Sequence, residues 1–238
     1  MKTKFLVAML LASSVVVGCS KSADKPSDKQ ASLQDALSSS NKQAAANSVL
    51  PKADPATPLD QYVKLTSGNQ LMFMYFGLSN MPVDYEEIAK HYSQDFERTS
   101  DAFKKQDILK ALTPKIDSEI ANAKQQRYFI VDTEVSLGSY DFNQKSFSVK
   151  NGLSPNAYFY FYNNSEYKYS FTNGDQFGAL KVVDEALARQ IESMLSKQRM
   201  KLVFYAFAQD ADPSNHEIKS QIVKVKLLDG RGNELLNQ

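Results

Sequence analysis

Between Ser20 and Pro58 the only large aliphatic side chains are Leu33, Leu37, Val49 and Leu50, set among Lys, Ser, Ala, Gln, Asp and Pro. Such a stretch cannot bury enough apolar surface to offset the entropy of ordering it. It reads as a solvated tether, residues 19–58, and folding falls to what lies beyond it. As a flexible coil the tether has a root-mean-square reach of about 35 Å, with Pro51, Pro55 and Pro58 stiffening its far end. From Leu59 to Gln238 aromatics appear throughout, and that length suits one domain with its own core, 59–238.

Within the domain the hydrophobic period changes from helical to extended. The run Leu71-Met72-Phe73-Met74-Tyr75-Phe76-Gly77-Leu78 is the most apolar of the domain, and its length fits a buried helix turn or a core strand, not a membrane span. Asp84, with Glu87 three residues on, marks a helix start, and Tyr85, Ile88, Ala89, Tyr92 and Phe96 share one face. A second helix is expected from Thr99 or Ser100, carrying Phe103, Ile108, Leu109 and Leu112. It should stop or kink at Thr113-Pro114 and resume through Ile116, Ile120 and Ala123.

Phe129, Val131, Thr133, Val135 and Leu137 then alternate with Asp132, Glu134 and Ser136, the two-residue period of a half-wet strand. Tyr140 to Val149 reads as a hairpin. Ala157–Tyr162 and Tyr167–Thr172 form another, joined by Asn163-Asn164-Ser165-Glu166. A helix over about 182–198 carries Val183, Leu187, Ile191, Met194 and Leu195. Lys201–Ala208 reads as a strand buried on both faces, and Ile218–Leu228 pairs across Asp229-Gly230-Arg231-Gly232-Asn233 with a short last strand. The order predicts an α+β fold, with N-terminal helices and then an antiparallel sheet interrupted by one helix.

The chain begins with Lys2 and Lys4 ahead of an apolar stretch, Phe5 to Ala12 and Val15 to Val17, the layout of a secretory signal over residues 1–18. Its end, Val16-Val17-Gly18-Cys19, resembles the lipobox of bacterial lipoproteins. The resemblance implies cleavage before Cys19, acylation of its thiol and a permanent lipid-bilayer anchor. Cys19 is the only cysteine, so no intramolecular disulfide staples the domain. Among lipoproteins aspartate after the acylated cysteine favours inner-membrane retention. Ser20 stands there, which implies the outer membrane, facing the periplasm.

Lys and Arg total 28 against 27 Asp and Glu. Without Lys2 and Lys4 the mature balance is 26 against 27, with no basic cluster to hold nucleic acid. His91, beside Tyr92 and one turn from Glu87, lacks the company of a metal site, and a surface ion pair explains it. His216 lies in Asp210-Ala211-Asp212-Pro213-Ser214-Asn215-His216-Glu217, which is rich in oxygen donors but lacks the glycine and the final glutamate of an EF-hand. No nucleophile elbow and no phosphate-cradling glycine loop occurs, and nothing calls for a cofactor. Glu86, Glu87, Asp132, Glu134 and Asp141 are available as paired carboxylates for a hydrolase.

The most distinctive motif is Tyr158-Phe159-Tyr160-Phe161-Tyr162. On a strand Tyr158, Tyr160 and Tyr162 face one way and the phenylalanines the other. That tyrosine ladder suits stacking on sugars or receiving a protein, although aromatics also favour strands for packing alone.

The run Thr99-Ser100-Asp101-Ala102-Phe103-Lys104-Lys105-Gln106-Asp107-Ile108-Leu109 with Leu112-Thr113-Pro114, then Leu137-Gly138-Ser139-Tyr140-Asp141-Phe142 with Phe147, resembles an uncharacterised family of proteobacterial envelope proteins known only as a domain of unknown function. That resemblance brings no catalytic residues with it. The expectation is a non-catalytic binding or assembly module meeting an envelope protein or peptidoglycan. A glycan binder using the tyrosine face and a carboxylate-based hydrolase are the alternatives.

Overall fold

Leu71 to Gly77 is buried on every side and forms a helix, α1 (Gly68–Leu78). A helix apolar all round has no polar stripe, which is why its periodicity does not distinguish it from a core strand. Its start is set by a reciprocal cap: the Ser67 hydroxyl accepts from the Gln70 backbone N–H, and Gln70 Oε1 accepts from the Ser67 N–H at 3.2 Å. The computed structural model describes residues 49–150, 153–154, 156–197 and 199–238. The signal segment, Cys19 and most of the tether lie outside these residues.

Three helices follow, α2 (Tyr85–Tyr92), α3 (Gln94–Arg98) and α4 (Ala102–Gln125). Asp84 Oδ1 caps α2 by accepting from the Glu87 N–H at 3.0 Å, as its spacing predicts. The face expected to run unbroken to Phe96 is interrupted, because Ser93 turns extended and its hydroxyl caps α3. Phe96 is buried all the same. Asp101 caps α4, so Phe103 falls in the first turn and is 87 % exposed instead of joining the core face. Thr113-Pro114 does not end this helix. Pro114 sits inside it, the Thr113 hydroxyl donates to the Leu109 carbonyl at 2.9 Å, and Ile116 just beyond is fully buried. Packing against α1 through Gly77 carries the chain past a proline that costs an isolated helix about 3 kcal/mol.

Among the described residues ten strands make two sheets: β1 (Val63–Lys64), β2 (Tyr128–Val135), β3 (Leu137–Asp141), β4 (Ser146–Val149), β5 (Tyr158–Phe161), β6 (Asn164–Phe171), β7 (Ala179–Lys181), β8 (Met200–Asp212), β9 (Glu217–Leu228) and β10 (Glu234–Asn237). The larger sheet runs β1-β2-β8-β9-β6-β5, with β10 also on β9; the smaller is β3-β4-β7. The fold is α+β. The main sheet is mixed, not purely antiparallel: β1 lies parallel to β2, and β6 parallel to β9. Alternation reports which side chains share a face, but not which strand lies beside which or in what direction. A helix, α5 (Glu185–Met194), separates β7 from β8. Asp184 is its cap, which leaves Val183 outside the helix and 70 % exposed.

One face of the main sheet packs under α1. Phe171 lies 4.9 Å from Phe204, and Tyr75 5.4 Å from Tyr167. The other face is partly covered by the segment before α1, which packs from Pro51 onward, ahead of the Leu59 at which composition places the domain's start. The Pro51 carbonyl accepts from Gln209 Nε2 at 2.7 Å, Ala53 N–H donates to Gln221 Oε1 at 2.9 Å, and Asp54 N–H donates to the Tyr128 hydroxyl at 2.8 Å. Tyr62 sets its ring edge-on to Tyr128 and Tyr205 at 5.1 and 5.4 Å. This strap explains why Ala206 to Gln209 are buried on both faces while β8 alternates before them. No helix among the described residues is long and apolar enough to cross a membrane.

Candidate binding face

Strand β5 ends the main sheet, and its alternation sorts the aromatics as their spacing predicts. Phe159 turns to the core side, stacking on its cross-strand partner Tyr169 with centroids 5.3 Å apart and planes 17° off parallel. Tyr158, Tyr160 and Tyr162 are 55 %, 44 % and 93 % exposed. The rings of Tyr158 and Tyr160 lie 6.4 Å apart and only 36° from parallel, whereas Tyr162 stands 80° to Tyr160 at 5.6 Å. They make a shallow floor with an upright wall.

Lys168, paired with Tyr160 across the hairpin, carries its ammonium to 4.6 Å from the Tyr158 ring centroid. Glu217, beside Lys168 in the register, is already bound at 2.8 Å by Lys219. The strap does not hide this end of the sheet, as the exposure of Tyr158 and Tyr160 requires.

The hairpin reverses at Tyr162-Asn163, earlier than the expected Asn163–Glu166 loop, and Asn164 already belongs to β6. Phe161 pairs with Asn164 but Tyr160 pairs with Lys168, so residues 165–167 bulge from the ladder. The tip is pinned to the start of α1, where Gly68 N–H donates to Asn163 Oδ1 at 3.0 Å. A Cβ on Gly68 would stand 2.1 Å from the Asn164 carbonyl oxygen, so this approach requires glycine.

The bulge sends Tyr167 inward and Glu166 outward. Tyr167 is fully buried and donates to Glu87 Oε1 at 2.6 Å. Burial, reinforced by the Glu87 carboxylate, drives its ionisation far above the ordinary range of tyrosine. Its ring stacks on His216, 5.3 Å away and 16° from parallel. Glu166 contacts both His91 and His216 at 3.4 Å. Sequence reasoning missed this convergence, since nothing local in the chain relates the three residues.

Of the carboxylates considered for catalysis, Glu87 is taken by Tyr167, and three more are occupied otherwise. Asp132 bridges Lys64 and Lys201 at 3.0 and 3.3 Å, Glu134 pairs with Arg199 at 3.1 Å, and Asp141 Oδ1 accepts from the Asn143 and Gln144 N–H groups at 2.8 and 2.9 Å. Desolvation opposes the charge of Asp132, but the two lysines outweigh it and hold the carboxyl below its usual range. In the His216 loop, Asp212 is spent on its own turn, accepting from Ser214 N–H at 2.9 Å and Asn215 Nδ2 at 3.2 Å. Among the described residues no group of three or more His, Cys, Asp or Glu is arranged to hold a metal ion.

Surface clefts lie elsewhere among the described residues, two of them lined by helix side chains. One of about 430 Å³, between β3 and α5, is lined by Tyr140, Phe142, Ala188 and Glu192. In it Tyr140 donates from its hydroxyl to the Val182 carbonyl at 2.7 Å and from its N–H to Glu192 at 2.9 Å. The other, about 350 Å³, lies where α1 and α4 meet β1 and includes Phe73, Met74 and Gln126.

A family model described as a domain of unknown function, DUF4852, matches residues 79–190. The match is consistent with an uncharacterised family and runs from before α2 into the first part of α5, including the tyrosine hairpin. No curated protein and no solved structure matches the chain.

Proposed function

We propose that the protein is a lipid-anchored, non-catalytic binding module of the cell envelope, and that the tyrosine-bearing end of the main sheet is its contact surface. The signal over 1–18 is removed, Cys19 is acylated, and the domain is held on the periplasmic side of the outer membrane. The observation that carries the contact surface is the joint exposure of Tyr158, Tyr160 and Tyr162 on a strand whose intervening phenylalanine Phe159 is stacked towards the core. Monomeric soluble proteins seldom leave adjacent aromatics in the open unless something receives them. Tyrosine suits the task, because a flat apolar ring with a polar rim tolerates water when free and packs when bound.

Two measurements test the two halves. Intact mass of the membrane-extracted protein should show acyl mass on a chain beginning at Cys19, and Cys19→Ala should leave the membrane fraction. A chain that starts elsewhere and stays soluble overturns the anchor. A photo-crosslinking residue at position 160 should yield an adduct in cells, while the same residue at position 103, more open still but on α4, should not. No adduct at 160 overturns the contact surface.

A further inference from the structure

We infer that the tyrosine face of β5, with the Tyr160–Tyr162 corner at one end and the Lys168 ammonium over the Tyr158 ring at the other, is a subsite for a carboxylate-bearing polysaccharide. The inference rests on β5 being the contact surface and names what that surface takes.

Three features of the face select a sugar over a protein strand. The first is the shape. A floor of two rings tilted 36° to each other, with a wall 80° to the second, receives a thick, ring-shaped unit from two sides, whereas a flat protein patch meets only one of them. The C–H face of a pyranose lies on an aromatic ring while its hydroxyls reach the tyrosine rims and water.

The second is the edge. β5 has only four residues, and its partner bulges opposite Phe161. A peptide adding to it would gain few ladder bonds, which is how natural sheets keep edges from pairing. Recognition through the rings is therefore favoured over recognition through the backbone.

The third is charge. Among the described residues Lys168 makes no ion pair, and its ammonium is held against the Tyr158 ring by a cation–π contact. The acid next to it in the register, Glu217, is neutralised by Lys219. The face therefore presents a positive charge with no ion-pair partner among the described residues, at the Tyr158 end of the ladder. Tyr158 fixes the lysine, Tyr160 and Tyr162 take the sugar ring, and Lys168 meets the carboxylate.

The test uses the full mature protein, extracted in detergent, in native gels cast with polygalacturonate or with its methyl ester. The wild type should be retarded by the acid form and much less by the ester. Tyr160→Ser and Tyr162→Ser should each weaken retardation about tenfold. Lys168→Gln should make the two gels equivalent. These side chains are exposed, and an unchanged melting temperature confirms that the variants fold. Equal retardation in both gels, with Lys168→Gln without effect, overturns the carboxylate. No retardation alongside an adduct to a protein at position 160 overturns the saccharide but keeps the contact surface, and failure of both removes the two readings together.

Discussion

His91 and His216 share one carboxylate: His91 Nε2 lies 3.4 Å from Glu166 Oε2, and His216 Nδ1 lies 3.4 Å from Glu166 Oε1. They are the only histidines of the chain. One comes from α2, the other from the turn between β8 and β9, and the acid comes from the bulge of the tyrosine hairpin. The cluster ties that hairpin to two separate elements at a point next to its exposed strand.

Glu166→Ala should therefore loosen the hairpin more than it weakens the fold. All three groups are partly exposed, so the global loss should be about 1 kcal/mol or less. Hydrogen exchange of the β5 and β6 amides should quicken by more than that loss accounts for, while β2 and β8 stay as protected as before. Because the histidines share a partner, His91→Ala and His216→Ala should combine non-additively in a double-mutant cycle. Strict additivity, with unchanged exchange in the hairpin, refutes the clamp.

Gly68→Ala should be costly out of proportion to one methyl group. The new carbon would stand 2.1 Å from the Asn164 carbonyl oxygen and 2.8 Å from its Cβ, where backbone cannot yield cheaply. Either α1 or the hairpin tip must shift, breaking the Gly68 to Asn163 hydrogen bond. A loss of about 2 to 4 kcal/mol by urea denaturation is expected. A variant as stable as the wild type would show that the approach is looser than described.

Much of this was legible in the residues, and the failures have physical reasons. The two-residue period of Phe129 to Val135 sorts buried from wet side chains correctly, with Phe129 and Val131 buried and Asp132 and Glu134 exposed. The Asp84 cap and the turn between β3 and β4 stand where their sequences put them. The tyrosine face was legible for the same reason as β2, since alternation depends on the strand's own geometry. Periodicity could not see that Asp101 and Asp184 are caps, which displaces Phe103 and Val183 from the core. Nor could it see the strap: Pro51 to Asp54 offer backbone groups, not apolar side chains, and their partners Gln209, Gln221 and Tyr128 are remote. The His91–Glu166–His216 cluster is set by the β5–β6 bulge, which no local pattern announces.

Asp132 should shape the acid limb of the stability curve. Desolvation raises its ionisation and the bonds to Lys64 and Lys201 lower it, the lysines prevailing, so the folded value lies below the ordinary 3.8. A depressed carboxyl stabilises the fold above the unfolded value and loses that contribution as pH falls through the folded one. Asp132→Asn should cost about 1 kcal/mol at neutral pH, modest because both lysines are half-exposed. The difference from wild type should begin to shrink as pH falls below about 4 and vanish once the folded carboxyl is protonated. A gap that persists unchanged to pH 2 would assign the loss to packing instead of charge.

Tyr62→Phe should move stability the other way. The ring is buried under the strap, edge-on to Tyr128 and Tyr205, but its hydroxyl oxygen has no hydrogen-bond partner among the described residues. Removing an unpaired buried hydroxyl while keeping the ring spares a desolvation penalty of about 1 kcal/mol or more. The melting temperature should rise by several degrees, given the usual conversion for a domain of this size. Tyr62→Ala, which also removes the ring, should instead release the strap and lower stability by about 3 kcal/mol. If Tyr62→Phe lowers the melting temperature, the hydroxyl has a partner in solution and the strap is held by a polar contact as well as by stacking.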